Sequence, residues 1–198
     1  MHSHYSLLDG LSKVEDLVKK AKEFGMTALA ITDHGAMYGA IDFYKACKKA
    51  DIKPIIGVEA YVANRTRFDR DPTVDNKRYH LTLLARNVQG YKNLMKITSK
   101  AHLEGFYYKP RIDKELLKEY ADGLIILSGC PGSEFIQLIK DHYYDKAKEL
   151  LEYYVSCVGS DHVFVEIMNH TEAPDLDWYL DLLPKIKDIA EQLNIQLF

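Results

Sequence analysis

Residues 27–35 read TALAITDHG, a short apolar run that ends at once in an acid, an imidazole and a glycine. Runs of this length read as buried strands. The same form recurs at KPIIGVEAYV (53–62), YHLTLLA (79–85), GLIILSG (123–129) and HVFVEIM (162–168). Amphipathic stretches separate most of them. The first predicts a helix with Ser12 as N-cap, Glu15 closing a capping box, Val14, Leu17, Val18 and Ala21 on the apolar face, and Gly25 as the stop. Further helices are expected near 38–50, 88–103, 113–121, 132–157 (broken near His142) and 175–193. Strand and helix in alternation predict an α/β chain with a parallel sheet, doubly wound or closed as a barrel. In either form, reacting groups gather beyond the carboxyl ends of strands.

The chain has 198 residues, 47% of them hydrophobic, enough for one domain with a real core. With 26 basic and 29 acidic side chains it carries a formal charge of −3, so any contact with nucleic acid must be local. Cys47, Cys130 and Cys157 are odd in number and widely spaced, and no stretch approaches the roughly 18 apolar residues of a membrane helix. A cytoplasmic protein without a membrane partner is the expectation. Both ends read as cut, because chemistry begins at His2 and the chain stops in the strand-like NIQLF (194–198). The charged, proline-bearing stretch 64–78 is expected to be a mobile excursion with a solvated basic face.

Asp33 and His34 stand at a strand's carboxyl end, and Glu59 interrupts an otherwise apolar strand, where a carboxylate must be paired, protonated or metal-bound. His80 opens one strand and Cys130 follows another. With His2, His4 and Asp9 these form a mixed nitrogen, oxygen and sulfur set, suited to zinc, manganese or iron rather than calcium. Taken singly, each has a structural alternative. His80 is a hydrogen-bonded core residue, Cys130 a small buried hydrophobe, Asp9 or Asp33 a cap or turn residue, and Glu59 half of a salt bridge. Glu166 and His170 straddle a strand end and suit acid–base chemistry or a structural pairing. In GFYYKPRID (105–113), Phe106, Tyr107 and Tyr108 interleave with Lys109 and Arg111, suiting base stacking and phosphate contact, or an aromatic loop packed on a rim. No nucleophile elbow, phosphate loop or dinucleotide fingerprint is present in the sequence.

HSHYSLLDG (2–10), the long block LAITDHGAMYGAIDFYKACKKADIKPIIGVEAYV (29–62), YHLTLLARN (79–87), YYKPRID (107–113) and LSGCPGSE (127–134) together resemble the PHP (polymerase and histidinol phosphatase) domain. The likeness is to the branch found at the N-terminus of bacterial DNA polymerase III alpha subunits. It implies a distorted seven-stranded β/α, TIM-like barrel, one PHP domain over 1–198 that is truncated at both ends. It also implies up to three divalent transition metals, zinc or manganese, in the intact domain, with fewer or none here. Asp9 lies seven residues after His2, the family spacing from the second histidine of its H-x-H motif, which leaves the first histidine before the chain and His4 a bystander. The family's closing D-x-H pair would lie beyond Phe198.

Carried over position by position, His2, Asp9, His34, Glu59, His80 and Cys130 match metal ligands, with Glu59 bridging; in the mechanism expected from them Glu59 and His34 act in catalysis, with Arg111, from its place in the basic aromatic stretch, gripping a phosphate. The activity implied is metal-dependent phosphoester cleavage, as a 3′ to 5′ proofreading exonuclease acting on a DNA 3′ end presented by the parent polymerase. The alternative is a catalytically inactive metal-binding scaffold that stabilises the rest of the polymerase chain and binds a proofreading subunit; a free-standing small-molecule phosphatase is a third reading. Closely spaced aspartates for nucleotide addition are absent from the sequence. His80 stands before its apolar run, the reverse of what a simple barrel predicts.

Overall fold

The computed structural model describes residues 1–7, 9–168 and 174–198, Pro174 by its backbone alone. The chain divides into two compact units, one of residues 1–78 and 82–124, the other of residues 79–81 and 125–198. The first contains helices α1 (Val14–Glu23), α2 (Ala40–Lys49), α3 (Val88–Leu103) and α4 (Lys114–Glu119). Its strands are β1 (Ala28–Ile31), β2 (Lys53–Ala63), most of β3 (Arg78–Ala85), β4 (Phe106–Tyr107) and β5 (Lys109–Ile112). The second contains the remainder of β3, nearly all of β6 (Leu124–Leu127), helices α5 (Glu134–Lys140) and α6 (Tyr144–Val158), β7 (Val163–Val165), α7 (Asp177–Gln192) and β8 (Gln196–Leu197).

In the first unit the strand order is β4-β5-β2-β3, with β1 also paired to β2. The long β2 serves two partners in succession: Lys53–Ile56 pair with β1 and Tyr61–Val62 with β5, both in parallel. Glycine makes the β2–β3 approach possible, since a Cβ on Gly57 would fall 2.6 Å from the Leu83 carbonyl oxygen. Gly57 therefore meets the end of β3, whereas Tyr61 lies beneath Arg78 at its start. β3 thus runs against β2. In the second unit β6, β7 and β8 are parallel neighbours.

The helices form where apolar spacing allows one buried face. Val14, Val18 and Ala21 of α1 pack with Phe43 and Cys47 of α2, Ile31 of β1 and Ile52. Burial pushes the Cys47 thiol up to about 11, consistent with a space-filling residue. Ser12 does not cap α1: Lys13 occupies the N-cap and makes no side-chain bond. The Ser12 carbonyl instead accepts the His4 amide at 2.9 Å, so its backbone closes the N-terminal turn. The stop at Gly25 is a left-handed residue (φ 70°), and the break between α5 and α6 falls on His142 (φ 62°), whose neighbours return their amides to the last turn of α5.

Two expectations are corrected here. Residues 105–113, read as an aromatic loop, contain the β4–β5 pair. The stretch 64–78 is tied down rather than mobile. Arg65 donates to both carboxylate oxygens of Asp75, at 2.9 and 2.6 Å. Buried Arg67 reaches Asp113 at 2.9 Å and Glu104 at 2.8 Å, and Asp113 also caps α4 through the Leu116 amide. Asp75, Arg67 and Asp113 are buried charges, and each is kept there by a partner of opposite sign.

The same pairing predicts acid sensitivity. The bond from Arg65, first, holds the Asp75 carboxyl down at about 2, below its ordinary 3.8. A depressed folded-state value contributes stability that is present above the unfolded-state value and is lost as pH falls through the folded one. We expect the amides of 65–77 to lose hydrogen-exchange protection between about pH 4 and 2. The Arg65→Gln variant should begin that loss at higher pH; identical profiles for the two proteins would contradict the pairing.

Candidate metal centre

Residues 1–7 and 9–12 are held against the end of β1. The Thr32 amide donates to the Met1 carbonyl, and Asp33 accepts the Ser3 amide at 2.6 Å and the Ser3 hydroxyl at 2.9 Å. Ser6 accepts the His34 amide at 3.0 Å and approaches Asp9 Oδ2 at 3.3 Å. Gly10 is required where it stands, because a Cβ there would collide with the Ser3 carbonyl oxygen. These bonds bring His2 and Asp9 to the carboxyl end of β1.

The β1–β2 pairing continues past the regular strand. The Glu59 amide donates to the Asp33 carbonyl at 3.1 Å, and the Gly35 amide to the Glu59 carbonyl at 2.9 Å. His34 and Glu59 are thereby bridge partners in parallel strands, which gives their side chains one face. Tyr61, two residues along β2, shares it.

On that face His2 Nε2 lies 3.0 Å from Glu59 Oε2, His34 Nε2 lies 3.6 Å from Asp9 Oδ2, and His2 Nδ1 lies 3.9 Å from the same oxygen. The rings of His2 and His34 stack with centroids 4.4 Å apart, and His34 stacks on Tyr61 at 5.3 Å. Glu59 is only 7% exposed. The hydrogen bond to Glu59, opposed by burial, holds the His2 imidazole above its ordinary value.

The donor set fits a divalent metal. One ligand atom each from His2, His34 and Glu59 lie within 4.8 Å of one another, and the buried His2 Nδ1 has no hydrogen-bond partner among the described residues. Two imidazoles with a carboxylate, edged by half-exposed Asp9, suit zinc, manganese or iron. His4 is exposed, against the Tyr5 ring, and outside this set.

A second pair forms in the other unit. The His80 amide donates to the Gly132 carbonyl at 3.2 Å, and its Nδ1 lies 3.3 Å from Cys130 Sγ. The turn carrying Cys130 is shaped by Gly129 (φ 90°) and closed by the Ser133 amide on the Cys130 carbonyl, with Ser133 capping α5. His80 stands near the amino end of β3, and β3 runs against β2, so the start of β3 at Arg78 meets the carboxyl-end part of β2 at Tyr61.

Arg111 is a correction. It is fully buried, and its guanidinium donates to the carbonyls of Gly105, Asp75, Arg67 and Asp69 at 2.8–3.3 Å, leaving it no role in holding a phosphate. The strand it lies in, Lys109–Ile112, is buried from Pro110 onward, which the sequence KPRI does not signal. Asp33, read as a candidate donor or as a turn residue, takes the second role: both of its oxygens accept from Ser3 and pin the His2 turn. Glu166 donates its amide to Ser128 Oγ at 3.0 Å at the end of β7, and His170 lies outside the described residues.

Asp33→Ala should lower divalent-metal affinity about 10–100-fold, the usual cost of losing a residue that orients a ligand. Isothermal titration with manganese would measure it. Unchanged affinity would mean that the turn holds its shape without Asp33.

Fold and site together define an α/β protein with clustered metal-type donors at strand ends. The PHP domain model matches residues 1–170, and the chain belongs to the PHP domain family. It is 45% identical over 198 residues to the DNA polymerase III subunit alpha of Treponema pallidum, covering 100% of this chain and 17% of that protein. It is 50% identical over 173 residues to the corresponding subunit of Thermus aquaticus, covering 85% of this chain and 14% of that protein. Among solved structures it is similar to a proposed metal-dependent phosphoesterase from Bifidobacterium adolescentis (TM-score 0.56, 13% identity, 99% of this chain and 83% of that one). It is also similar to an amidohydrolase from Chromobacterium violaceum solved with bound sulfate and no metal (TM-score 0.57, 14% identity, 99% and 83% covered). At those identities the likeness speaks for the fold, which is the α/β class expected of a PHP domain. No helix among the described residues is long and apolar enough to cross a membrane.

Proposed function

We propose that this chain is the PHP portion of a bacterial replicative DNA polymerase, working in the cytoplasm, and that it is a metal-dependent phosphoesterase that removes nucleotides from a DNA 3′ end. The observation that carries the reading is the cluster of half-buried His2 and His34 with buried Glu59, where the N-terminal turn meets the β1 and β2 strands. His2, Asp9, His34 and Glu59 would hold zinc or manganese in the first unit, and in the second His80 and Cys130 form a separate donor pair. When bound, the metals supply Lewis-acid neutralisation of a phosphoryl group and lower the pKa of water toward neutrality.

The chain's own residues prepare that chemistry. The stack of His2, His34 and Tyr61 fixes the imidazole planes, and the bridge between His34 and Glu59 sets their separation before any ligand arrives. Burial of Glu59 excludes water from the inner side of the cluster, whereas Asp9, with its side chain 44% exposed, marks the open side from which a substrate would approach.

The test is excision of a 3′-labelled DNA strand by the full-length polymerase in manganese or zinc. Glu59→Ala and His34→Ala should each abolish it while nucleotide addition continues. Excision that persists in both variants overturns the nuclease assignment. Metal binding without excision by the unaltered protein would favour the scaffold alternative, with the proofreading subunit as its partner.

A further inference from the structure

The aromatic residues of 105–113 part company in the fold. Tyr107 covers the buried Arg111, with the guanidinium carbon 5.1 Å from the ring centroid, and is spent on structure. Phe106 turns outward, 52% exposed, and joins two rings from elsewhere. His102, at the end of α3, lies with its ring centroid 6.3 Å from Phe106 and 6.3 Å from Tyr38, which is 64% exposed on the segment leading from β1 to α2. The row is anchored beside the metal cluster, because His102 Nε2 is 3.1 Å from the carbonyl of Gly35, the residue after His34.

Beside the row runs a groove of about 480 Å³ lined by Met37, Tyr38, Met95, Ser99, His102 and Leu103, with no carboxylate on its walls. Met95 and Ser99 also line the next depression, whose other walls are Lys92, Lys96 and Lys100. Lys100 is tied to Glu104 and Lys96 lies with its ammonium 5.2 Å from the Tyr120 ring centroid, and Lys92 and Lys96 are both exposed on the same side of α3. Rings with open faces beside ammonium groups at helical spacing match one kind of ligand. Bases stack on aromatic faces whatever their sequence, while lysines neutralise the phosphates between them. A duplex hides its base faces within its own stack, so only a single strand can use such a row. The net charge of −3 makes a local device of this kind necessary.

We propose that Tyr38, His102 and Phe106 form a stacking track for single-stranded DNA, flanked by Lys92 and Lys96, which delivers a strand end to the His2, His34 and Glu59 cluster. The track rests on the phosphoesterase reading for its substrate and adds the surface that binds it. Its affinity for bases does not require metal.

Binding of a short fluorescent oligothymidylate to the protein, followed by anisotropy in EDTA and in manganese, tests the track. The double variant Tyr38→Ala with Phe106→Ala should raise Kd at least roughly tenfold in both conditions, since each stacked base is worth a factor of about 5 to 150. Lys92→Ser with Lys96→Ser should flatten the dependence of log Kd on log salt by about 1.4. Phe24→Ala, which removes an exposed ring at the end of α1, should change neither. Wild-type affinity in the aromatic double variant, equal weakening by Phe24→Ala, or equally tight binding of a blunt duplex would each overturn the track. The two proposals fail separately. Oligonucleotide binding that needs the rings in a protein that takes up no metal removes the nuclease and keeps the track; metal-dependent excision with unaltered oligonucleotide affinity in the double variant does the reverse.

Discussion

Replacing Arg111 by methionine is expected to destabilise the protein by about 3–5 kcal/mol, the cost of removing one member of a buried charged network. Methionine keeps much of the volume but its side chain donates nothing, so the carbonyls of Asp75, Arg67 and Asp69 lose their donors together, while that of Gly105 keeps only the backbone amide of residue 111. A buried acceptor left unsatisfied costs on the order of 1–3 kcal/mol, and the removed desolvation of the guanidinium offsets only part of that sum. Burial already holds the Arg111 pKa below its ordinary value, a sign of what the surroundings must supply to keep the charge there. Arg111→Lys should rescue little, because an ammonium presents its donors from one point whereas the four carbonyls are met by a planar fork. Urea unfolding would read the effect in the midpoint, and a chain of this size should lose roughly 2–4 °C in Tm per kcal/mol. Wild-type stability with weakened nucleotide binding would instead restore Arg111 to the phosphate role that its sequence context suggests.

The second large effect is expected at Glu59, and it has opposite signs in two conditions. Without metal, Glu59→Gln should be tolerated or even mildly stabilising, because an amide of the same shape removes a buried carboxylate set near Asp9 while keeping an acceptor for His2. With metal, the unaltered protein should gain about 2.7 kcal/mol at a metal concentration a hundredfold above Kd, equivalent to a rise of roughly 5–10 °C in Tm. Glu59→Gln should lose that rise. Changes outside the ligand shell already cost about 10–100-fold in affinity, so loss of a carboxylate that would itself hold the metal should cost more than about 100-fold. Thermal unfolding with and without manganese measures both arms. An equal metal-induced shift in the two proteins would remove Glu59 from the site.

These effects contrast because one residue holds the fold and the other interrupts it. Arg111 and Glu59 are both charged residues within strands, and their sequence positions do not say what each charge serves. The difference lies in their neighbours. Arg111 faces carbonyls from 67, 69 and 75, brought to it by the paired loop, whereas Glu59 faces two imidazoles and an open edge.

Much of the architecture was legible along the chain because it depends on near neighbours. Apolar runs placed β1, β2, β3, β6 and β7, and the spacing of Val14, Val18 and Ala21 placed the buried face of α1. The break at His142 was legible too, since polar and apolar periodicity lapses there. His34 and Glu59 could be singled out because a titratable group at a strand end, or within an apolar strand, is costly unless it has a purpose.

The remainder required the tertiary structure. Arg67 and Asp113 are 46 residues apart, so no window of sequence could show that the charged stretch 64–78 is pinned. Ser12 had the composition of a cap, yet its carbonyl was claimed by His4 in closing the turn that carries His2. His80 looked misplaced until the direction of β3 was known, because sequence marks a strand's position but not its sense relative to its neighbours. The sequence by itself determined which residues could bind metal and which segments were strands. Which of those residues meet, and whether a buried charge serves chemistry or the fold, was decided by long-range pairing, for which local periodicity carries no signal.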